Sequence, residues 1–486
     1  MDAQLRRAVN ATLMPGFHGP VLPGWLAAEL ADGLGAVCLF GSNISSPAQV
    51  RELTDAIHDA NPDALIATDE EGGDVTRLHH RDGSPYPSMA YLGRVDDEAL
   101  TAAVASGIGA ELRTAGIDLN LAPVADVNAD PRNPVIGVRS FGADAGLVAR
   151  HVAAYTRGLQ DAGVGAVAKH FPGHGDTATD SHLALPTVSA DAATLDAREL
   201  PPFDAAVTAG ALAVMTSHIL LPALDPHRAA TFSPTVLAEL RQRAGFSGAI
   251  VSDALDMAGA SRGRGVPEAA VLALAAGVDL LCLGSESTPE QVEAVRSHVV
   301  TAVVRGRLGR DRVLDAAGRV RDLVQGVARL RATRASGHTE PAAVDPAGFW
   351  LRGPIGPIRA PLLLRLASPA SIAAGETPWG VASHLASEID ALLPGASCVT
   401  VADPTALADI LDANPTRPLV VQGRDLSRVE FLRAASATVL RRRPDALIVE
   451  LGWPDFSGPA RLDVVTFGSG RAAAAALIHL LARGAG

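Results

Sequence analysis

Short β-branched apolar runs alternate with longer alanine- and leucine-rich stretches of helical spacing up to about residue 330. The short runs predict strands near 11–16, 36–40, 64–69, 117–122, 164–169, 212–217, 248–252 and 278–283. Helical patterns such as Asp97–Ala115, Ala145–Ala162 and Pro267–Ala276 lie between them. Eight strands, each followed by a helix or a long loop, predict a (β/α)8 barrel enlarged by insertions, although the same alternation also permits a doubly wound open sheet.

The polar positions favour the barrel. Strand 3 runs into Asp69-Glu70-Glu71-Gly72-Gly73, strand 5 into Lys169-His170, strand 6 into Ser217-His218, and strand 7 into Asp253. In a barrel, reactive groups gather where strands end and loops begin, at the carboxyl face. A single carboxylate at a strand end is more often a helix cap. Four polar endings in order point to a site.

The pattern changes beyond residue 335. Ala335-Ser-Gly-His-Thr-Glu-Pro and Arg352-Gly-Pro-Ile-Gly-Pro have linker composition. Apolar runs then recur at 361–367, 397–401, 418–421, 446–451 and 463–467, with helical patterns over Ser427–Arg441 and Arg471–Ala482. The expected organisation is a barrel over 1–335, a linker over 336–360 and a smaller three-layer α/β sandwich with a mostly parallel sheet over 361–486.

Composition narrows the class. A chain of 486 residues is long enough for about three domains, or one large barrel and a smaller partner. A net charge of -12 argues against nucleic acid or an anionic membrane as a partner. No apolar run is long enough to span a bilayer, and the stretch from Met1 to Pro15 carries Asp2, Arg6 and Arg7 and lacks the apolar core of a signal peptide. Cys38, Cys282 and Cys398 lie far apart in apolar runs, which speaks against disulfides or a zinc cluster and for a reducing, cytoplasmic setting.

The densest chemistry lies in Lys169-His-Phe-Pro-Gly-His-Gly-Asp-Thr-Ala-Thr-Asp-Ser-His182: three imidazoles, two carboxylates and an amine on a loop made pliable by Gly173 and Gly175. A metal site is one reading of such a cluster, but no HExxH or comparable spacing accompanies it. A polar loop with a capping Asp is the plain alternative.

This stretch resembles the K-H-F-P-G-H-G-x4-D-S-H signature of family-3 glycoside hydrolases, in their β-N-acetylglucosaminidase (β-N-acetylhexosaminidase) branch. Four further blocks are similar and fall in the family's order: Asp69-Glu-Glu-Gly-Gly-x-Val-x-Arg77, Asn120-Leu-Ala-Pro-Val-Ala-Asp126 with Arg139-Ser-Phe-Gly, Val214-Met-Thr-Ser-His218, and Gly245-Phe-x-Gly-x-x-Val-Ser-Asp253-x-Leu-x-Met257. The blocks run from Asp69 to Met257 within a resemblance that covers roughly residues 10 to 330, and such an ordered set is far more specific than any one motif.

The resemblance implies a retaining hydrolase. Asp253 would be the nucleophile that forms a covalent glycosyl-enzyme. His182 would be the general acid and then the general base, oriented and polarised by Asp180. Most retaining glycosidases use a second carboxylate for that task; an imidazole with an ordinary pKa of about 6.5 is accessible in both protonation states near neutral pH. Asp69, Arg77, Arg139, Lys169 and His170 would grip the sugar's hydroxyls and acetamido group, while either arginine has a structural alternative as a salt-bridge member. His174 and His218 would shape the loop without touching substrate.

The implied substrate is a small oligosaccharide or glycopeptide with terminal β-linked N-acetylglucosamine, of muropeptide or chitin type, and no cofactor or metal is implied. A phosphorylase, with phosphate as acceptor, is the neighbouring reading, since an imidazole does not repel the anion as a carboxylate does. A non-catalytic sugar-binding barrel is the reading of another class. Two departures stand out. Glu70 adds an acid beside Asp69, either facing solvent or perturbing the pocket, and Asp256 stands where single-domain members often carry Ser. The C-terminal domain is assigned no catalytic residue.

Overall fold

The computed structural model describes residues 2–177, 185–333, 343–368, 373–375 and 377–485. Eight parallel strands form the larger unit: β1 (Leu13–Met14), β2 (Ala36–Leu39), β3 (Leu65–Thr68), β4 (Leu119–Asn120), β5 (Gly165–Phe171), β6 (Ala213–Thr216), β7 (Ala249–Val251) and β8 (Leu281–Cys282). Strands β2 to β7 pair in chain order. The ring closes through three joints. The Cys38 N–H donates to the Pro15 carbonyl, the Ser252 N–H to Leu280, and β8 pairs with β1 in the register Leu13 with Leu281. Seven of these eight strands fall within a run expected from the sequence, β5 runs two residues past the expected 164–169, and the fold is an α/β barrel followed by an α/β domain.

Side chains alternate across a strand. Ala36 and Cys38, Leu65 and Ala67, Ala213 and Met215, and Ala249 and Val251 therefore share one buried cluster filling the barrel. Val320, Leu323 and Val327 of the long helix Arg310–Thr333 complete it. Gly165, which starts β5, packs closely there, since a Cβ would stand 2.7 Å from the tip of the Leu119 side chain. Buried Asp118 and Asp279 precede β4 and β8, accept the Ile66 and Ile250 N–H groups, and pair with Arg331 and Arg241. This amino-terminal end is thus pinned by ion pairs, leaving the carboxyl end for other chemistry.

The second unit holds a six-stranded sheet ordered β9-β14-β13-β12-β10-β11: β9 (Trp350–Leu351), β10 (Leu362–Leu366), β11 (Ser397–Val401), β12 (Leu419–Gly423), β13 (Leu447–Glu450) and β14 (Val464–Val465). All pairs are parallel except β9 with β14. Right-handed crossovers in this order put Pro404–Ala413 and Glu430–Arg442 on one face, with Val381–Leu385 on the other, packed beside Arg471–Arg483. The result is a doubly wound three-layer sandwich.

The division of the chain differs from the sequential one expected. The compact units are 1–71, 98–133 and 142–340 against 72–97, 134–141 and 341–486. Two strips that leave β3 and β4 therefore pack with the sandwich. Asp74 accepts the Ser469 N–H at 2.7 Å and its hydroxyl at 2.8 Å, Ser88 donates to the Phe467 carbonyl, and Tyr91 exchanges two hydrogen bonds with the Asp345 backbone. The stretch read as a linker over 336–360 also holds structure, namely a 3-10 turn at Pro346–Gly348 and the edge strand β9.

Candidate active site

The carboxyl ends of the barrel strands carry the titratable groups. One residue past β3 comes Asp69, and Glu71 follows two positions on, so the two carboxylates point the same way. Lys169, near the end of β5, reaches both: its Nζ lies 2.6 Å from Asp69 Oδ1 and 2.6 Å from Glu71 Oε1. The ammonium is only 2% exposed, and Glu71 is equally buried. A buried charge this well enclosed needs such partners, because its desolvation is otherwise prohibitive. The arrangement leaves Asp69 as the more open acid, with 16% of its side chain accessible.

Glu70, between them, turns inward and is fully buried; of the two orientations open for it, solvent is ruled out. Its backbone N–H and carbonyl both pair with the Asn120 amide, which ties the end of β3 to β4.

The second group is built around Asp126, a fully buried carboxylate on the segment after β4. Its Oδ2 lies 2.7 Å from His170 Nδ1, and its Oδ1 accepts the His174 N–H at 2.7 Å. Burial pushes the Asp126 carboxyl up, but the neighbouring His170 and His174 outweigh it and hold the group below the usual carboxylate range. His174 moves the other way. Burial drives it down to about 4, against the pull of Asp126, so its ring is neutral at physiological pH. The charge of Asp253 also reaches His174, which associates the strand-7 carboxylate with this turn. The peptide bonds Lys169–His170 and Phe171–Pro172 are cis.

Gly173 and Gly175, read as a source of pliability, are instead demanded by close packing. A Cβ on Gly175 would fall 1.8 Å from the Val127 carbonyl oxygen, and one on Gly173, at φ +125°, would meet the Glu199 carboxylate at 2.4 Å. The turn is wedged between two walls.

Asp253 follows β7, is partly exposed, and accepts the Ala254 N–H at 2.8 Å. His218 is buried beside it, stacked on Phe232, with Nε2 3.0 Å from the Ala254 carbonyl and Nδ1 2.9 Å from the Thr231 hydroxyl. Since that carbonyl only accepts, Nε2 carries a proton. His218 thus braces the backbone at the proposed nucleophile. Asp256 is exposed and, with Met257, Ala258, Ser261 and Arg262, lines an open cavity of about 440 Å³ next to Asp253 along the chain.

Asp69, Lys169, His170 and Asp253 therefore all sit at strand ends of the barrel. Asp180 and His182 lie outside the described residues. Arg77 and Arg139 belong to the second unit: Arg77 donates to the Ala373 and Ala374 carbonyls, and buried Arg139 donates to that of Val135. Sequence reasoning assigned no part to Glu71 or Asp126. The i, i+2 spacing from Asp69 was a usable signal for the first, and the end of the Asn120–Asp126 run for the second. Among the described residues no group of three or more His, Cys, Asp or Glu side chains is arranged to hold a metal ion, and no helix is long and apolar enough to cross a membrane.

Comparison with known proteins gives the class to which this barrel and its strand-end acids belong. Residues 26–323 match the profile of the glycosyl hydrolase family 3 N-terminal domain, and the chain belongs to that family as a glycoside hydrolase. A β-hexosaminidase of Methylococcus capsulatus is 38% identical over 288 residues, 57% of this chain and 86% of its own. One from Alkalilimnicola ehrlichii is 39% identical over 275 residues, 55% of this chain and 77% of its own. Among solved structures, a family 3 β-N-acetylglucosaminidase from Paenibacillus sp. FPU-7 is 31% identical with a TM-score of 0.87, covering 98% of this chain and 96% of that one.

Proposed function

We propose that the chain is a retaining β-N-acetylhexosaminidase that releases terminal β-linked N-acetylglucosamine from muropeptide or chitin-type oligosaccharides. The observation that carries this reading is the joint presence, at the strand ends of one barrel, of the Lys169-bridged acids and of Asp253 within electrostatic reach of the His170–Asp126–His174 turn. The names borne by the relatives, β-hexosaminidase and β-N-acetylglucosaminidase, support the choice of sugar.

In this reading Asp253 attacks the anomeric carbon and forms a glycosyl ester. His182 gives its proton to the departing glycosidic oxygen, Asp180 holding the ring, and then takes a proton from the attacking water. Asp69, paired with Lys169, accepts from sugar hydroxyls, and Lys169, His170, Arg77 and Arg139 donate to sugar oxygens. The cysteines at 38, 282 and 398 form no disulfide among the described residues, which supports a cytoplasmic setting, consistent with turnover of cell-wall fragments.

The test is hydrolysis of an aryl N-acetyl-β-glucosaminide set against the matching glucoside, with and without phosphate. Preference for the N-acetyl sugar, release of the free sugar and loss of turnover in Asp253→Asn are expected. Formation of sugar-1-phosphate would make the chain a phosphorylase. Binding without turnover would make it a sugar-binding barrel.

A further inference from the structure

The segment Leu195–Glu199 is a π-helical turn, closed by the Leu200 N–H on the Leu195 carbonyl. Such turns are uncommon overall and frequent at functional sites. Here two successive residues, Arg198 and Glu199, are directed at the 170s turn. The Arg198 guanidinium donates to Asp176 at 2.5 Å and to Glu199 Oε1 at 2.6 Å. Glu199 is buried and touches Gly173, and its Oε2 has no hydrogen-bond partner among the described residues. On the opposite side the same turn is stitched to the segment after β4. His174 N–H bonds to Asp126, the Asn133 amide to the His174 carbonyl at 2.8 Å, and Asp130 N–H to the Gly175 carbonyl. The turn is thus gripped from two sides, and only one grip is made by groups that lie among the sequence blocks of the sugar site.

We propose that Arg198 and Glu199 are a positioning pair that seats residues 171–176 against Asp126 and thereby fixes the His170 ring at the sugar. The second half of this statement rests on the proposed role of His170; the first half does not. Asp176 supplies the tether, Arg198 spans it to the π turn, and Glu199 is the floor beneath Gly173. The charges that reach Glu199 are Arg198 on its own turn, Asp126 from the segment after β4 and Asp176 on the turn above. Burial pushes the Glu199 carboxyl up to about 7, so it takes on charge near neutrality. Charging it costs the desolvation of a buried carboxylate, which the adjoining Arg198 offsets only in part and Asp126 and Asp176 oppose, so the anion loosens the turn. The seat is therefore firmer below pH 7 than above it.

Amide hydrogen exchange of the full chain reads the seat directly, without any activity. Arg198→Ala and Asp176→Asn should speed exchange in peptides covering 171–177 by about tenfold, the loss of one charge-assisted bond on a partly exposed pair. Arg198→Lys should restore part of it. Measured against the intrinsic, base-catalysed rate of each amide, protection over 171–177 should step downward across pH 7 in the wild type, and Glu199→Gln should abolish the step while leaving the turn in place. On the aryl substrate, Arg198→Ala should raise KM about tenfold with kcat within about twofold of wild type, since His170 binds the sugar in ground and transition states alike. Wild-type exchange in 171–177 for both Arg198→Ala and Asp176→Asn, or an unchanged pH step in Glu199→Gln, overturns the clamp. If exchange rises throughout the chain in Arg198→Ala, the Glu199→Gln pH step decides. A wild-type enzyme inactive on every N-acetylhexosaminide refutes the proposed function while the exchange result still judges the seat.

Discussion

Replacing Gly175 by alanine tests whether the 170s turn is wedged or loose. The backbone at Gly175 is not in the left-handed region, so alanine suffers no conformational penalty there and would gain about 0.4–1 kcal/mol by restricting the unfolded chain. Against this stands the Val127 carbonyl oxygen, 1.8 Å from the new Cβ, whereas ordinary contact begins at 3.4 Å. The turn must retreat by the difference, 1.6 Å (3.4 less 1.8), from a backbone group that has no rotamer to yield. That distance is enough to part His174 N–H and His170 from Asp126, both now 2.7 Å away. Each bond to the buried carboxylate contributes about 1.5–3 kcal/mol, so the clash wins and stability falls by at least about 2 kcal/mol. Misplacement of a positioning group by about 1 Å costs about 100-fold in rate. The assay is chemical denaturation together with kcat/KM on an aryl N-acetyl-β-glucosaminide. Gly33→Ala, at φ +89° with nothing within 4 Å, is the control: strain of about 1 kcal/mol and full activity. If Gly175→Ala is as stable and active as Gly33→Ala, the turn has room to move and the wedge argument fails.

Three further outcomes are expected. Lys169→Met removes the cation between Asp69 and Glu71 and leaves two facing acids in a buried site; a loss of about 3–5 kcal/mol in denaturation midpoint analysis is predicted, and a stability equal to wild type would refute the bridging role. Asp253→Asn should abolish turnover with the thermal midpoint kept, because the amide has the same size and the acceptor for the Ala254 N–H survives; retained activity would move the nucleophile elsewhere. Glu450, buried at the end of β13, is pushed up by burial to about 8 although three backbone N–H groups bond to it. Its folded pKa exceeds the unfolded one, so the folded chain holds a proton that the unfolded chain has released. Stability should therefore fall by a few kcal/mol as pH rises from about 4.5 to 8, and the slope should flatten in Glu450→Gln when denaturation is followed across that range.

The strands were legible because a barrel strand is an uninterrupted apolar run. Val37-Cys38-Leu39 and Ala166-Val167-Ala168 are buried on both faces, a local property that composition records. The polar endings at Asp69, Lys169 and Asp253 were legible for a related reason: charge right after such a run marks a strand leaving the core. What stayed hidden depends on partners far along the chain. Asp74 meets Ser469 and Tyr91 meets Asp345 across hundreds of positions, so nothing near residues 72–97 announces that this strip packs with the sandwich. Trp350-Leu351 is too short for periodicity to signal, and it became a strand because Val464 and Val465 offered an edge. The glycines of the 170s turn misled for the same reason. Glycine marks freedom and tight fit alike, and only the positions of Val127 and Glu199 distinguish them.

The chain passes between its two compact units at 71/72, 97/98, 133/134, 141/142 and 340/341. No single stop codon or proteolytic nick can therefore divide it cleanly. A fragment ending at 340 would carry strips 72–97 and 134–141 stripped of their company, with Asp74, Ser88 and Tyr91 deprived of every long-range bond named above. A fragment starting there would bring a sandwich with gaps where those strips belong. In this chain a cut at any one position leaves at least one of the two units without a strip that belongs to it.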